Sequence, residues 1–432
     1  MTQVEAQTRR KALLQQLGPH AIALVASAEE LLRNGDTHYP FRQQSDFLYL
    51  TGFDEAHAIL VLAQGKSILF CQASNPLTTI WTGPVMGPIH AQQALRFDEA
   101  YPIDEFERRI QDFIANATEI HYPFLQAGDW ERRLFGAWKQ QRLMPRQDTF
   151  KASSFHDLSP KLAAMRLIKS EQEIAALQQA IDYSVVAHQH VMRGMQQCEF
   201  EYQAAAIFHY SLQRQGCMHL AYPSIVASGP NACILHYTEY QRQFKPDDLL
   251  LIDAGGEHLG YAADITRTYP VRGQWSYCQQ AIYELVLAAQ IEAIKLLKPG
   301  LSWEAIQAKV VITLSQGLID LGLLSGSLDG VLEAKSYRDF YMHNSGHWLG
   351  LDVHDVGSYL HNGESIKLAP GMVMTVEPGI YIAADAQHVP EKWRGIGIRI
   401  EDDVCITSAG HRVLSAALPK SIDDLQGIIS DA

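Results

Sequence analysis

Hydrophobic positions change their spacing along this chain near residue 165. Before it, short apolar runs alternate with mixed stretches. Ser67 to Cys71 reads as a strand, and Leu134 to Leu143, with Lys, Arg and Gln among its apolar positions, reads as a partly exposed helix. From Leu158 to Gln189 the period becomes helical: Leu162, Met165, Leu167 and Ile168, then Ile174, Leu177 and Ile181, recur mostly at three- and four-residue spacings. Ser170 followed by Glu173 predicts a capping box opening the second half of that stretch. Two more helices are predicted over 275–297 and 302–323. The first stops at Lys298-Pro299-Gly300, and Ser302 is the expected N-cap of the second. Strand-like segments at 222–228, 247–270, 371–383 and 395–407 surround them. Helices and hairpins in this order predict an α+β fold rather than a doubly wound sheet. The change of pattern places a smaller mixed α/β domain over 1–165 and a larger domain over 166–432.

Composition narrows the function classes. With 47% hydrophobic and 19% charged residues, a mainly disordered or fibrous chain is excluded. The 35 basic against 48 acidic side chains give a net charge of −13, which argues against binding nucleic acid or an anionic membrane. No apolar run approaches the ~18 residues of a spanning helix. Arg9, Arg10 and Lys11 ahead of the apolar run Ala21 to Ala28 resemble a leader, but Gln15, Gln16, Gly18, Pro19 and His20 interrupt it, and the run reads as the first strand of a domain. The six cysteines (71, 198, 217, 233, 278 and 405) form no C-x-x-C pair and no disulfide framework, so a reduced, cytoplasmic protein is expected.

Candidate chemistry lies in the C-terminal half. In residues 247–271 two apolar strands flank a turn near Gly255 to Gly260. A turn centred between His258 and Leu259 puts Asp253 opposite Asp264, with side chains ~5 Å apart. Two carboxylates that close require a shared proton or a cation, unless the pair faces solvent on an edge hairpin. In "GIGIRIEDDVCIT" (395–407) alternation puts Ile396, Ile398 and Ile400 on one face and Gly397, Arg399 and Glu401 on the other. In 371–382 it puts Val373, Thr375 and Glu377 together; a buried Glu–Arg pair is the bland alternative for either strand. Residues 342–357 hold His343, His347 and His354 among glycines, and His236 is a further candidate. Taken together, Asp253, Asp264, His347, Glu377 and Glu401 supply four carboxylates, one imidazole and no thiolate. That set excludes a cysteine-type structural zinc site and suits two divalent ions such as Mn²⁺, with Co²⁺ or Zn²⁺ also compatible. Paired ions of this kind are hydrolytic machinery.

The same residues, in the contexts "IDAGGEHLGYAADITRT", "HNSGHWLGLDVHDVG", "TVEPGIYI" and "GIRIEDD", resemble the pita-bread-fold metallopeptidases, a family that includes methionine aminopeptidase, prolidase and aminopeptidase P. The likeness to the aminopeptidase P branch extends to "YPFRQQSDFLYLTGF", "IWTGP", "ACILHYTE" and "VPEKWRGIGIRIEDD", and so over nearly the whole chain. It implies a pita-bread catalytic domain over 166–432 that releases the residue ahead of a proline. The alternatives are an Xaa-Pro dipeptidase with identical ligands, or a metal-free peptide-binding module. By resemblance, Asp253 chelates one metal, Asp264 and Glu401 bridge both, and His347 and Glu377 complete the coordination of the second metal. Glu377 also takes the proton of the attacking water. His354 and His236 bind the peptide or steady the intermediate, and His343 sits near the proline pocket. Arg399 buttresses the site and Tyr381 supports it. The resemblance also implies dimers or tetramers in which Trp81 of one subunit closes the pocket of another. One departure is Asn344, where the family often has glycine; the expectation is a differently bent loop with no ligand lost.

Overall fold

Short apolar runs become strands where two-residue turns reverse them. In the computed structural model, which describes residues 3–126, 128–143 and 152–430, Ile59–Ala63 and Lys66–Cys71 form a hairpin closed by Gln64 and Gly65. Both turn residues have positive φ, 52° and 75°, as a type I′ turn requires. The run beginning at Ala21 is a wholly buried strand, Ala21–Ala26, beside Ile59–Ala63. Six strands make one mixed sheet in the order Glu99–Pro102, Lys66–Cys71, Ile59–Ala63, Ala21–Ala26, Glu119–Tyr122, Ser154–Asp157. The helices Phe106–Ala115 and Trp130–Leu143 bury Phe106, Ile110, Ile114, Trp130, Leu134 and Ala137 in the core of this sheet. These elements belong to one compact unit, Met1–Met165; a second spans Arg166–Ala432. Among the described residues no helix is long and apolar enough to cross a membrane.

In the second unit the helix Glu171–Gly194 opens as its sequence requires. The Ser170 hydroxyl accepts from the Glu173 N–H at 3.2 Å and the Glu173 carboxylate accepts from the Ser170 N–H at 2.9 Å. That cap needs extended backbone at Ser170, and Lys169 N–H is taken by Gly371 O at 2.8 Å. The helical period of 158–189 is therefore broken, and Ser159–Leu167 is a separate helix. The helices Tyr277–Leu296 and Trp303–Asp320 lie inside their predicted ranges and pack on each other. Ser302 stands at the N-cap position, but its hydroxyl makes no capping bond; Ser365 Oγ accepts from Glu304 N–H at 3.1 Å instead. The backbone around Ser302 is already bridged to the segment near Lys367, which brings Ser365 within reach.

The segment 247–270 is a hairpin in which Leu249–Asp253 pairs with Thr266–Pro270 and Gly256–His258 with Tyr261–Ala262. Its turn falls on Leu259 and Gly260, with φ of 53° and 83°, one residue later than the sequence pattern suggests. Asp253 therefore faces Thr266 and not Asp264, a correction to the predicted register. The slip is an even number of residues on the partner strand, so Asp264 stays on the same face, diagonal to Asp253.

The segments 371–383 and 395–407 pair with each other in one register, Val376 with Asp402 and Gly379 with Arg399. Regular pairing lapses between these two pairs, where Pro378 has no N–H to contribute. Counting inwards from both sides puts Glu377 across from Glu401 at the gap.

Candidate metal centre

Two backbone arrangements deliver the five predicted donors to one place. The strand Ile396–Arg399 lies beside Leu249–Asp253 and Thr266–Pro270. Glu401 N–H donates to Thr266 O at 3.1 Å, and Thr268 Oγ1 donates to Arg399 O at 2.9 Å. This stitching brings Glu377 and Glu401 against Asp253 and Asp264. The histidine segment runs antiparallel along Val373 to Glu377, with bonds from Leu349 N–H to Val373 O, Thr375 N–H to His347 O and Glu377 N–H to Ser345 O of 2.9 to 3.0 Å. Gly346 permits that approach: a Cβ there would lie 2.1 Å from Thr375 O. The glycines among the histidines thus serve close backbone contact.

The donors converge. His347 Nδ1–H donates to Trp348 O at 3.0 Å, which turns Nε2 inward, 3.3 Å from Asp264 Oδ2 and 3.4 Å from Glu377 Oε1. One donor atom each from Asp264, His347 and Glu401 lies within 4.8 Å of the others. Thr375 Oγ1 donates to Glu377 Oε1 at 3.2 Å, and Thr266 Oγ1 to Glu401 Oε2 at 2.6 Å. Arg399 Nη2 contacts Asp253 Oδ2 at 2.5 Å. All five donors, with His236, His343, His354 and Arg399, line a cavity of about 640 Å³.

The electrostatics ask for positive charge. Burial, against the pull of His347, raises the Glu377 carboxyl to about 7, with Asp264 adding to the rise. Burial and then Asp264 hold Glu401 well above the carboxylate range. Burial raises Asp253 too, although Arg399 pulls it down. The Tyr222 hydroxyl lies 2.5 Å from Asp253 Oδ1 and 2.6 Å from Asp264 Oδ1, and its single proton cannot serve both carboxylates. A buried set of four carboxylates and one imidazole, short of cationic charge, fits two divalent ions.

The remaining predicted residues take distinct places. Burial, then Arg399, lowers His343 to about 4, so it is neutral at pH 7. Its Nδ1–H donates to Asn344 O at 2.7 Å, and its Nε2 faces the Tyr381 hydroxyl at 2.9 Å, which in turn accepts from Arg399 Nη1 at 2.9 Å. Tyr381 is buried and does not line the cavity; it links Arg399 to His343 from behind. The bond at Asn344 uses only the main chain, and Asn344 has no positive φ, so nothing there requires glycine. His354 packs its ring on His347, centroids 4.2 Å apart, and burial lowers its pKa. His236 is an exposed wall residue after the turn Gly229–Cys233. Trp81 sits on the helix Pro76–Thr82 of the first unit, 88% exposed.

Tyr222, Thr266, Asp403 and Gln307 are site residues that the sequence did not flag. Asp403 accepts from Asp264 N–H at 3.1 Å and Gln307 accepts from Ser345 N–H at 2.6 Å. They act through backbone or across long sequence gaps, and no local pattern marks such contacts. For Asp403 alone a signal existed: it is the third acid in a run of otherwise apolar positions.

Comparison with known proteins agrees with this geometry. Residues 175–408 match the model of metallopeptidase family M24, and residues 6–121 that of the aminopeptidase P N-terminal domain. The chain is 43% identical to the Xaa-Pro aminopeptidase of Haemophilus influenzae, over 99% of this chain and 97% of that one. It is 39% identical to the Xaa-Pro aminopeptidase of Escherichia coli, over 98% and 97%. The solved aminopeptidase PepP of Pseudomonas aeruginosa superposes with a TM-score of 0.97 at 41% identity, covering 100% of this chain and 98% of the other. An α+β chain with an aminopeptidase P N-terminal domain ahead of a pita-bread domain, it belongs to metallopeptidase family M24.

Proposed function

We propose that this chain hydrolyses the bond between an N-terminal residue and a following proline, as a metalloaminopeptidase with 166–432 as its catalytic domain and 1–165 as its N-terminal domain. The observation that carries this reading is the convergence of Asp253, Asp264, His347, Glu377 and Glu401 on one cavity, in a chain similar over its length to proteins named Xaa-Pro aminopeptidases. Two divalent cations, when bound, supply an activated water and polarise the scissile carbonyl. Manganese is our choice among ions that suit mostly oxygen ligands with one nitrogen.

The chain's own groups do the rest. An Xaa-Pro bond has no N–H, so the peptide cannot be read there by backbone hydrogen bonds. Recognition falls to the shape of the cavity, whose walls include Ile225, Leu235, Val353 and Tyr359. The excess of carboxylates attracts the free α-amino group of the substrate. Glu377 takes a proton from the attacking water and returns it to the departing proline nitrogen. His354 and His236, in the cavity wall, face the peptide and steady charge on its carbonyl oxygen, with His343 on the proline side. A cytoplasmic location fits six cysteines that are all free. A dimer or tetramer in which Trp81 covers a neighbouring subunit's cavity would account for that exposed indole.

The test is an assay of manganese-loaded protein on an Xaa-Pro-Xaa tripeptide and an Xaa-Pro dipeptide, with Asp264→Asn as control. We expect release of the first residue from the tripeptide and near-complete loss in the control. Cleavage of the dipeptide alone would make the protein a prolidase. A control as fast as the parent would refute the donor set.

A further inference from the structure

The last two strands of the N-terminal sheet carry another group of metal-ligand side chains. Along Glu119–Tyr122, Ile120 and Tyr122 enter the core, and alternation sends Glu119 and His121 to the opposite face. The parallel neighbour Ser154–Asp157 is the edge strand, and its register sets His156 level with His121 and Ser154 level with Glu119. The two imidazoles stack, centroids 4.7 Å apart and planes inclined by 19°. His121 Nε2 is 3.1 Å and His156 Nε2 4.0 Å from the same oxygen, Glu119 Oε2. One donor atom of each residue lies within 4.8 Å of the other two.

Burial and chemistry distinguish this trio from a chance surface cluster. The His121 side chain is only 9% exposed, and its Nδ1 is a buried polar atom without a hydrogen-bond partner, so protein groups satisfy only one of the two ring nitrogens. Burial, against the pull of the Glu119 hydrogen bond, lowers the His121 pKa. Glu119 and His156 are half exposed, which opens a path for an ion from solvent. Two imidazole nitrogens and one carboxylate favour borderline ions of the zinc and nickel class over manganese, magnesium or calcium. Three protein donors leave a position for water. The donor set is thus the inverse of the catalytic one, which has four carboxylates to a single imidazole.

We propose that Glu119, His121 and His156 bind one zinc ion, which clips the edge strand Ser154–Asp157 to Glu119–Tyr122. The test loads the full chain with zinc, removes loose metal by gel filtration, and counts zinc per chain in the parent, His156→Gln and Glu119→Gln. His156 is exposed, so its replacement leaves the fold intact, which circular dichroism checks. We expect the parent to hold one zinc more than either variant, with manganese-supported tripeptide hydrolysis unchanged in both variants. The same count in an Asp264→Asn background separates this site from the catalytic one: the difference between the chain with and without His156→Gln should persist. Equal zinc in the parent and both variants, or a difference that vanishes with Asp264→Asn, overturns the proposal.

Discussion

Glu401, Asp402 and Asp403 stand in a row, and each side chain is at most 2% exposed. Three consecutive buried acids can coexist only because each meets a different environment. Glu401 faces the metal centre, where burial and Asp264 raise its pKa. Burial also pushes Asp402 upward, but Arg267 and Lys420, at 2.8 and 2.5 Å, outweigh it and hold the carboxyl below the usual range. Asp403 is held well above that range by burial and Asp264. Arg399 shows why residue type matters as much as charge. Its three nitrogens reach Asp253, Tyr381 and Thr266 at 2.5, 2.9 and 3.2 Å, a fork that a lysine ammonium cannot reproduce. Arg399→Lys should lower kcat/KM or metal affinity by roughly 10- to 100-fold, the usual effect of losing a group that orients a ligand. Kinetics at saturating manganese, alongside metal titration, will check this; parent values in both would contradict the role.

Elements break where they carry ligands. The pair of segments 371–383 and 395–407 keeps one register through a gap that holds Glu377 and Glu401. Alternation along these strands assigned the right faces to Arg399, Glu401, Thr375 and Glu377, because a period of two survives a short lapse in pairing. The hairpin at 247–270 was less legible. Its turn uses Leu259 at φ 53°, a conformation that glycine or asparagine normally fills, so nothing in the residue type announced the turn centre. The same oddity yields a prediction. Leu259 is 54% exposed and packs little, so Leu259→Asn should stabilise the protein by about 1 kcal/mol through relief of left-handed strain. Denaturant unfolding of the metal-loaded protein measures it, with activity unchanged. A loss of stability would mean that Leu259 contributes contacts beyond its turn.

For the molecule as a whole, the cations and the protonation of the site are linked. Without metal, burial lowers His347, but Asp264 and Glu377 outweigh it and lift the imidazole to about 9 from 6.5. Between pH 6.5 and 9 the folded chain then holds a proton that the unfolded chain has lost, so stability falls as pH rises. Glu377, raised from 4.5 to about 7, acts in the same direction up to pH 7. The lowered histidines, His343 at about 4 and His188 at about 3, act oppositely but only below 6.5. Bound cations replace those protons. Calorimetry should therefore find the melting midpoint of chelator-treated protein dropping from pH 6.5 to 9, and that of metal-loaded protein nearly flat. A metal-free midpoint that rises across this window would contradict the account.

Donor chemistry was readable without coordinates, because carboxylates and imidazoles inside apolar, alternating or glycine-rich stretches are costly unless something uses them. Strand faces and the Ser170 cap were readable too, since both depend on neighbours a few residues away. Register at a turn and the Ser365 cap were not, because distant backbone competes for the same hydrogen bonds. Nor was the role of Tyr222, whose hydroxyl reaches carboxylates 31 and 42 residues further along the chain. Periodicity reports which side of an element is buried; only folding decides what it is buried against.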